Sequence, residues 1–505
     1  MTNILKNKKI ERLLIIILLI LPLLVIRRSL DNDIWFYLNS GRYMVNNWNS
    51  NPFITIEPFT IHDDFSFSFQ KWLSSIVFYK IYSFTGPYGL IIFLYIIALL
   101  IEYLFYINLK NISNNRFINI VILSFSCSLL FFLYGVTRPQ VFSYICLLLE
   151  FYCLEKYVKT SQIKFLFFLP IISLFYIQFH STMWIMFFIM LMPYWFDFNF
   201  IQTKIKCEYT SYHKWPIYIF SLLSFLVGFI NPYGITSILF IFNTLDINVI
   251  DIKELAIPSS VQLIAFSGLY MPTLLYLVIS TIDNVNKNKI NNTDKIINIP
   301  LRYLYIIMGL FILGLMAIRN IVYLTIYSAM IFSYILKDIS INNLAKYFSE
   351  NFIKIINNIY KYILTIFMVI ICIFMFSKDT IYSSTAGYDA INYFDNYIKE
   401  NDINKNNLKV FTDFNCGGYC EWLGYKCYLD ARGEVFTINT NKKKNILKEM
   451  QSLQQEEISI KTFQSTYNFN YWIIPLFLEE KLNLKNNNLF KLLYEDNSYL
   501  IFKVV

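Results

Sequence analysis

Apolar runs dominate this chain. Several reach the roughly 20 residues needed to cross hydrocarbon, and short loops rich in Lys separate them. The first runs from Leu13 to Ile26 and is followed by Arg27 and Arg28. It has no small-residue cleavage site, so it reads as a retained helix rather than a removed leader. With 56% hydrophobic and 15% charged residues among 505, the composition exceeds what a soluble core needs. These features predict an α-helical polytopic membrane protein. The net charge of +9 does not call for nucleic acid, because Lys and Arg fall mainly in the short loops that positive-inside topology would place in the cytoplasm. No nucleic-acid partner is expected.

Counted this way, Lys6, Lys8, Lys9 and Arg12 put the N-terminus in the cytoplasm. A large first loop, about 27–86, is then external. Within it Trp72–Ser83 is amphipathic, and Pro87–Leu109 is the second span. The alternation continues to about eleven spans, including Val141–Leu154 and Ala265–Ile282, and leaves residues 377–505 outside as a polar domain. That domain mixes Tyr388–Lys399, which has helical spacing, with four short strands at Lys409–Thr412, Lys426–Leu429, Asn470–Pro475 and Tyr499–Val505. The expected layout is a membrane domain, 1–376, and an extracytoplasmic α/β domain, 377–505. Four of the eight cysteines lie in apolar runs and read as small hydrophobes. Cys416, Cys420 and Cys427 cluster in the polar domain, where one disulfide or three free thiols both fit.

On this topology Asp31, Asp33, Glu57, Arg138, Gln140, His180, Asn231, Glu254 and Arg319 all reach the external side. Each alone has a plain structural explanation: Arg138 as a snorkelling arginine, His180 as a satisfied interface histidine, Asn231-Pro232 as a helix stop. Together they outline an external polar cavity ringed by helices. Such a cavity suits group transfer from a lipid phosphate. A carboxylate serves as general base on an acceptor hydroxyl, and arginines neutralise the departing phosphate through forked hydrogen bonds. A lipid-linked donor enters sideways through the bilayer and needs no nucleotide pocket. No Walker motif, dinucleotide fingerprint or HExxH appears, so no cofactor and no metal are expected. Gly417-Gly418 reads as a tight strand connection, and Gly418→Ala is expected to lower stability.

The motifs also carry a resemblance. Asp33-Ile-Trp-Phe-Tyr-Leu-Asn-Ser-Gly41, Glu57-Pro-Phe-Thr60, Trp72-Leu73, Arg138-Pro-Gln-Val-Phe-Ser143, His180, Asn231-Pro-Tyr-Gly234, Glu254 and Arg319-Asn320 occur in that order. Phe411-Thr-Asp413, Gly417-Gly418-Tyr419 and Leu429-Asp-Ala-Arg432 follow. The chain thereby resembles a group of bacterial polytopic membrane proteins that is itself similar to the GT-C glycosyltransferases, such as protein O-mannosyltransferases and the lipid A aminoarabinose transferase. The resemblance runs over nearly the whole chain. It implies a GT-C-like fold, a bacterial cytoplasmic membrane, and a polyprenyl-phosphate-linked sugar as donor. It also implies that Asp33 is the base. The chain departs from the group's pattern at Tyr37, where the group tends to have His, at Lys71, where it tends to have Glu, and at Glu57, where it tends to have Asp.

The resulting expectation is an inverting glycosyltransferase that serves an extracytoplasmic glycan, lipid or protein acceptor, with membrane lipid around it. Asp33 is the catalytic residue and Asp31 its alternate. Arg138, His180 and Arg319 hold phosphate, while Glu57 and Glu254 orient sugar hydroxyls or pair the arginines. Two alternatives stand beside it: a ligase or polymerase of lipid-linked oligosaccharides, and a non-catalytic protein that binds or exports a cell-surface polymer.

Overall fold

A computed structural model of the chain describes residues 8–197, 212–243, 256–259, 300–336, 350–376 and 378–505. Glu254, Cys207 and the span expected at 265–282 lie outside the described residues. Helix α1 is Lys8–Leu24 and carries the first apolar run. The chain then forms a helix the sequence pattern did not announce, α2, Asn32–Asn46. Its composition is mixed because it is buried on most sides. Ile34, Trp35 and Leu38 are enclosed, and so are the polar Asn39 and Ser40. Gly41 allows this, since a Cβ there would stand 2.2 Å from the Ser75 carbonyl oxygen of the neighbouring helix.

That neighbour is α3, Trp72–Ile112, which breaks at Gly86. Gly86 has φ +66°, a left-handed conformation that glycine adopts freely, and Pro87 restarts the helix with its preset φ. The amphipathic first half and the apolar second half thus fall where the sequence placed them. α4 is Arg116–Tyr134, capped by the Asn115 side chain, and α5 is Gln140–Thr160, with Pro139 at its N-cap. Among the described residues, four helical stretches are long and apolar enough to cross a membrane: Trp72–Ile112, Arg116–Tyr134, Ile163–Met183 and Ile318–Leu336. Four shorter apolar helices accompany them, at Ile185–Trp195, Lys214–Phe229, Leu301–Met316 and Ile359–Met375. By length and composition this is a membrane protein. The expected count of about eleven spans does not emerge from these helices. α5 is one reason: it is long enough but carries Glu150, Glu155, Lys156 and Lys159.

Residues 378–505 build an α/β domain. Its helix Tyr388–Glu400 packs Ile391, Phe394 and Ile398 inward. Its sheet has five strands, β1 (Lys409–Thr412), β2 (Lys426–Cys427), β3 (Tyr471–Pro475), β4 (Phe490–Glu495) and β5 (Tyr499–Val504). The order is β2-β1-β3-β5-β4, with β1 parallel to β2 and β3 and with β5 antiparallel to β3 and β4. β4 is the strand the sequence did not reveal. It is an edge strand with little burial, and the Asp496 carboxylate, accepting from the Ser498 and Tyr499 amides at 2.7 and 2.8 Å, turns it into β5. Cys416, Cys420 and Cys427 are buried separate thiols, so the disulfide alternative is not formed.

The first loop belongs physically to this domain. α2 shares one hydrophobic cluster with the helix Tyr388–Glu400 and the sheet, and Trp35 lies 4.6 Å from the Tyr419 ring. The Trp35 indole donates to the Thr385 hydroxyl at 3.1 Å. Thr60 bridges Cys427 in parallel, extending the sheet beyond β2 with a piece of the loop.

Candidate active site

After α1 the chain runs beside the α4–α5 turn, where the Arg27 amide donates to the Gly135 carbonyl at 3.2 Å. This contact brings the start of α2 to Arg138. The Arg138 Nε donates to Asp31 Oδ2 and lies 3.2 Å from Asp33 Oδ2, so one guanidinium holds two carboxylates. The second Asp31 oxygen is buried with no hydrogen-bond partner. Asp33 sits in the first turn of α2, at the positive end of the helix dipole. One turn on, Tyr37 is buried. Burial first, and the Asp33 charge second, push its phenol well above the usual range, so it stays a neutral hydroxyl.

The head of α5 adds more polar groups. The buried Gln140 Oε1 has no partner. The Ser143 hydroxyl and His180 Nδ1 are 2.6 Å apart, and His180 is buried at the end of the helix Phe168–His180. Arg319 occupies the exposed turn Ile318–Asn320, close enough for its charge to act on His180. Lys71 stands over the Phe36 and Tyr37 rings at 5.8 and 5.5 Å and lies 3.9 Å from Glu434 Oε1. Lys71 therefore has an acidic partner in the C-terminal domain.

Two residues of the expected set are held elsewhere. Asn231 serves its own turn: Nδ2 donates to the Gly228 and Gly234 carbonyls at 2.7 and 3.0 Å, and Oδ1 accepts from the Tyr233 amide at 2.9 Å. Glu57 is buried in the loop. Its Oε2 accepts from the Phe59 amide at 3.0 Å and from the Thr60 amide and hydroxyl, both at 2.8 Å. Its Oε1 is 2.8 Å from Arg432 Nη1. Glu57 thus pairs an arginine, but Arg432 rather than Arg138 or Arg319.

Arg432 centres a cluster that sequence reasoning did not assign. Its Nε donates to both Asp430 oxygens at 3.0 and 2.9 Å, and its Nη2 reaches Glu421 Oε2 at 3.4 Å. Burial, and then the Asp430 charge, push the Glu421 carboxyl well up against the pull of Arg432. A neutral Glu421 leaves two carboxylates around one guanidinium. The signal in the sequence was Asp430-Ala-Arg432, visible only as a motif. A second unforeseen residue is His62, whose Nε2 pairs with the Tyr428 carbonyl at 2.8 Å and whose ring stacks on Phe65 at 4.7 Å. A third is Arg302 in the helical bundle, which grips Glu155 at 2.8 and 3.1 Å while the Tyr194 and Tyr303 hydroxyls donate to the same carboxylate.

No family model matches the chain, and no curated protein matches it. Among solved structures it is similar to the crystal structure of the Archaeoglobus fulgidus oligosaccharyltransferase in its apo form. The TM-score is 0.59 at 11% sequence identity, over 97% of this chain and 74% of that chain. At such identity the likeness is one of fold. It is the GT-C-like fold that the motif resemblance implied, with a helical membrane part followed by an α/β domain.

Proposed function

We propose that the protein is an inverting membrane glycosyltransferase that moves a sugar from a polyprenyl-phosphate donor to an extracytoplasmic acceptor. The observation that carries this reading is the Arg138 clasp on Asp31 and Asp33 at the head of the bundle. Asp33 is the more exposed of the two carboxylates and takes the proton of the acceptor hydroxyl. The hydroxyl oxygen attacks the anomeric carbon opposite the phosphate, forming one C–O bond while the bond to phosphate breaks. The electron pair leaves on the polyprenyl phosphate, and configuration inverts. Arg138 stabilises that phosphate, with Arg319 and His180 on the same side of the bundle, and Gln140 Oε1 accepts from a sugar hydroxyl. In this reading Asn231 builds a turn, and Glu57 fastens the first loop to the C-terminal domain. The N-terminus is cytoplasmic and the C-terminal domain external. Reporter fusions after Phe376 test that orientation, and a cytoplasmic signal there would break it.

The decisive experiment is turnover of a labelled polyprenyl-phosphate sugar by purified protein. General-base catalysis contributes on the order of 10²–10⁴-fold, so Asp33→Asn lowers turnover by about that factor while expression and lipid binding hold. Asp31→Asn lowers it much less, because Asp31 is committed to Arg138. Wild-type turnover in Asp33→Asn would remove the assignment. Absence of transfer by the wild-type protein would favour polymer binding or export. The likeness to an oligosaccharyltransferase supports a second reading of the same chemistry, in which the donor carries an oligosaccharide rather than a single sugar.

A further inference from the structure

Asp31 and Asp33 occupy one end of α2. A larger cavity lies at the other, between α2, the first loop and the edge of the C-terminal sheet. Its volume is about 510 Å³, within the range of about 300–1,000 Å³ usual for small-ligand sites. Arg42, on α2, and Lys426, on the edge strand β2, both line it. From Asp33 to Arg42 is about 14 Å along the helix, at about 1.5 Å per residue.

The charge of this lining is one-sided. Among the described residues, neither Arg42 nor Lys426 forms an ion pair with a carboxylate. The one acid in the lining is Glu421, and it is turned inward. It is 2% exposed, its Oε2 is 3.4 Å from Arg432 Nη2, and its Oε1 is sealed from solvent. Burial also keeps it neutral, so it sets no negative charge against the two cations.

Arg42 is partly buried, and burial pulls its guanidinium below the ordinary range. Neutral groups hold it. The Asn39 Oδ1 and the Trp422 carbonyl accept from Nη2 at 2.6 and 2.9 Å, and the Trp422 ring stacks at 4.1 Å. Both bonds use Nη2, so Nε and Nη1 keep their N–H groups for another acceptor. A cation that has given up water without gaining a counter-ion is costly to keep. An oxyanion in the cleft supplies that counter-ion through charge-assisted hydrogen bonds, and Lys426 meets the same ligand from the sheet side. An ammonium is repelled by both residues. The Tyr43 and Phe59 rings also line the cleft, which leaves apolar wall for the rest of a larger ligand.

We propose that this cleft is an anion-binding site that takes a carboxylate or phosphate carried on a larger ligand. If the glycosyl-transfer reading holds, on which this assignment of role rests, that ligand is an acidic acceptor held about 14 Å along α2 from the base.

The test is titration calorimetry on the full-length purified protein in phosphatidylcholine nanodiscs, with trigalacturonate, tripolyphosphate and uncharged maltotriose as probes. Saturable binding of at least one of the two anions is expected, weakening as salt rises, with none for maltotriose. Arg42→Gln weakens that binding at least tenfold. Asn46→Asp does the same from an exposed position, because it sets a carboxylate one turn from Arg42 and removes none of the contacts that hold it. Arg138→Met, at the other end of α2, leaves this binding unchanged. Phosphatidylglycerol added to the disc separates the sources of the anion. Unaltered probe binding assigns the cleft to a soluble ligand, and loss of probe binding assigns it to a lipid headgroup and removes the acceptor role. The proposal is overturned if neither anion binds, if maltotriose binds as well as they do, if Arg138→Met abolishes the binding, or if Arg42→Gln and Asn46→Asp both bind like the wild type. Anion binding by a protein that transfers no sugar would keep the cleft and remove the transferase reading, so the two failures are distinct.

Discussion

Arg138 and Arg432 each gather carboxylates from distant parts of the chain, yet their surroundings differ. Around Arg432 the side chains of Glu57, Asp430 and Glu421 are at most 1% exposed, and Arg432 itself is 3% exposed. Asp31 and Asp33 around Arg138 are 13% and 24% exposed. Removing ions from water is expensive unless partners replace the water, and in the buried cluster the Phe59 and Thr60 amides donate to Glu57 while the Phe59 and Phe67 rings flank Arg432. The half-open clasp keeps access to solvent. The same residue types therefore make a buried fastening in one place and a solvent-accessible charge cluster in the other. Accessibility decides which.

The comparison predicts its own largest contrast. Arg432→Met leaves carboxylates buried without their cation and costs about 3–5 kcal/mol, enough to abolish folded protein in detergent. Arg138→Met lets its carboxylates turn to water. It leaves the thermal midpoint near wild type while retention of polyprenyl phosphate falls. Equal loss of folded protein in both variants, measured by size-exclusion yield and melting, would erase the distinction between fastening and site.

A smaller effect concerns the same closed region. Burial holds the His62 imidazole down at about 4, below its ordinary value of 6.5. The fold therefore favours the neutral ring. Its contribution is complete above pH 6.5 and is lost as pH falls through 4. Acidification across that window should remove about 3 kcal/mol of stability. His62→Gln should flatten the melting temperature between pH 7 and 4, and an unchanged slope would move the acid sensitivity elsewhere.

The smallest contrast separates two adjacent glycines. A Cβ at Gly417 would stand 1.8 Å from the Leu429 carbonyl, beside the Arg432 cluster, whereas at Gly418 the nearest atom is 3.5 Å away, on α2. Gly417→Ala should cost about 1–3 kcal/mol through overpacking. Gly418→Ala should melt like the wild type, which reverses the expectation drawn from the sequence. The reason is that the pair opens the short helix Gly417–Trp422 between two parallel strands, and only its first residue is too close to neighbouring backbone to admit a methyl group.

Much was legible in the chain itself. Long apolar runs and Lys-rich loops specify a helical membrane protein, because hydrocarbon tolerates only backbone that satisfies its own hydrogen bonds. Alternating and helical patterns in residues 378–505 disclosed an α/β domain, and among the motifs Asp33 and Arg138 are two that the fold brings into contact, at 3.2 Å. What it did not disclose shares one cause. α2 has no amphipathic signature because the membrane helices cover one side of it and the C-terminal domain another. Glu57 and Arg138 lie on equally polar stretches, and only packing reveals that one is sealed against Arg432 while the other stays half-open. Local pattern records which residues prefer water or oil. Burial of a charge depends on what folds over it from hundreds of residues away, and that is decided by tertiary structure alone.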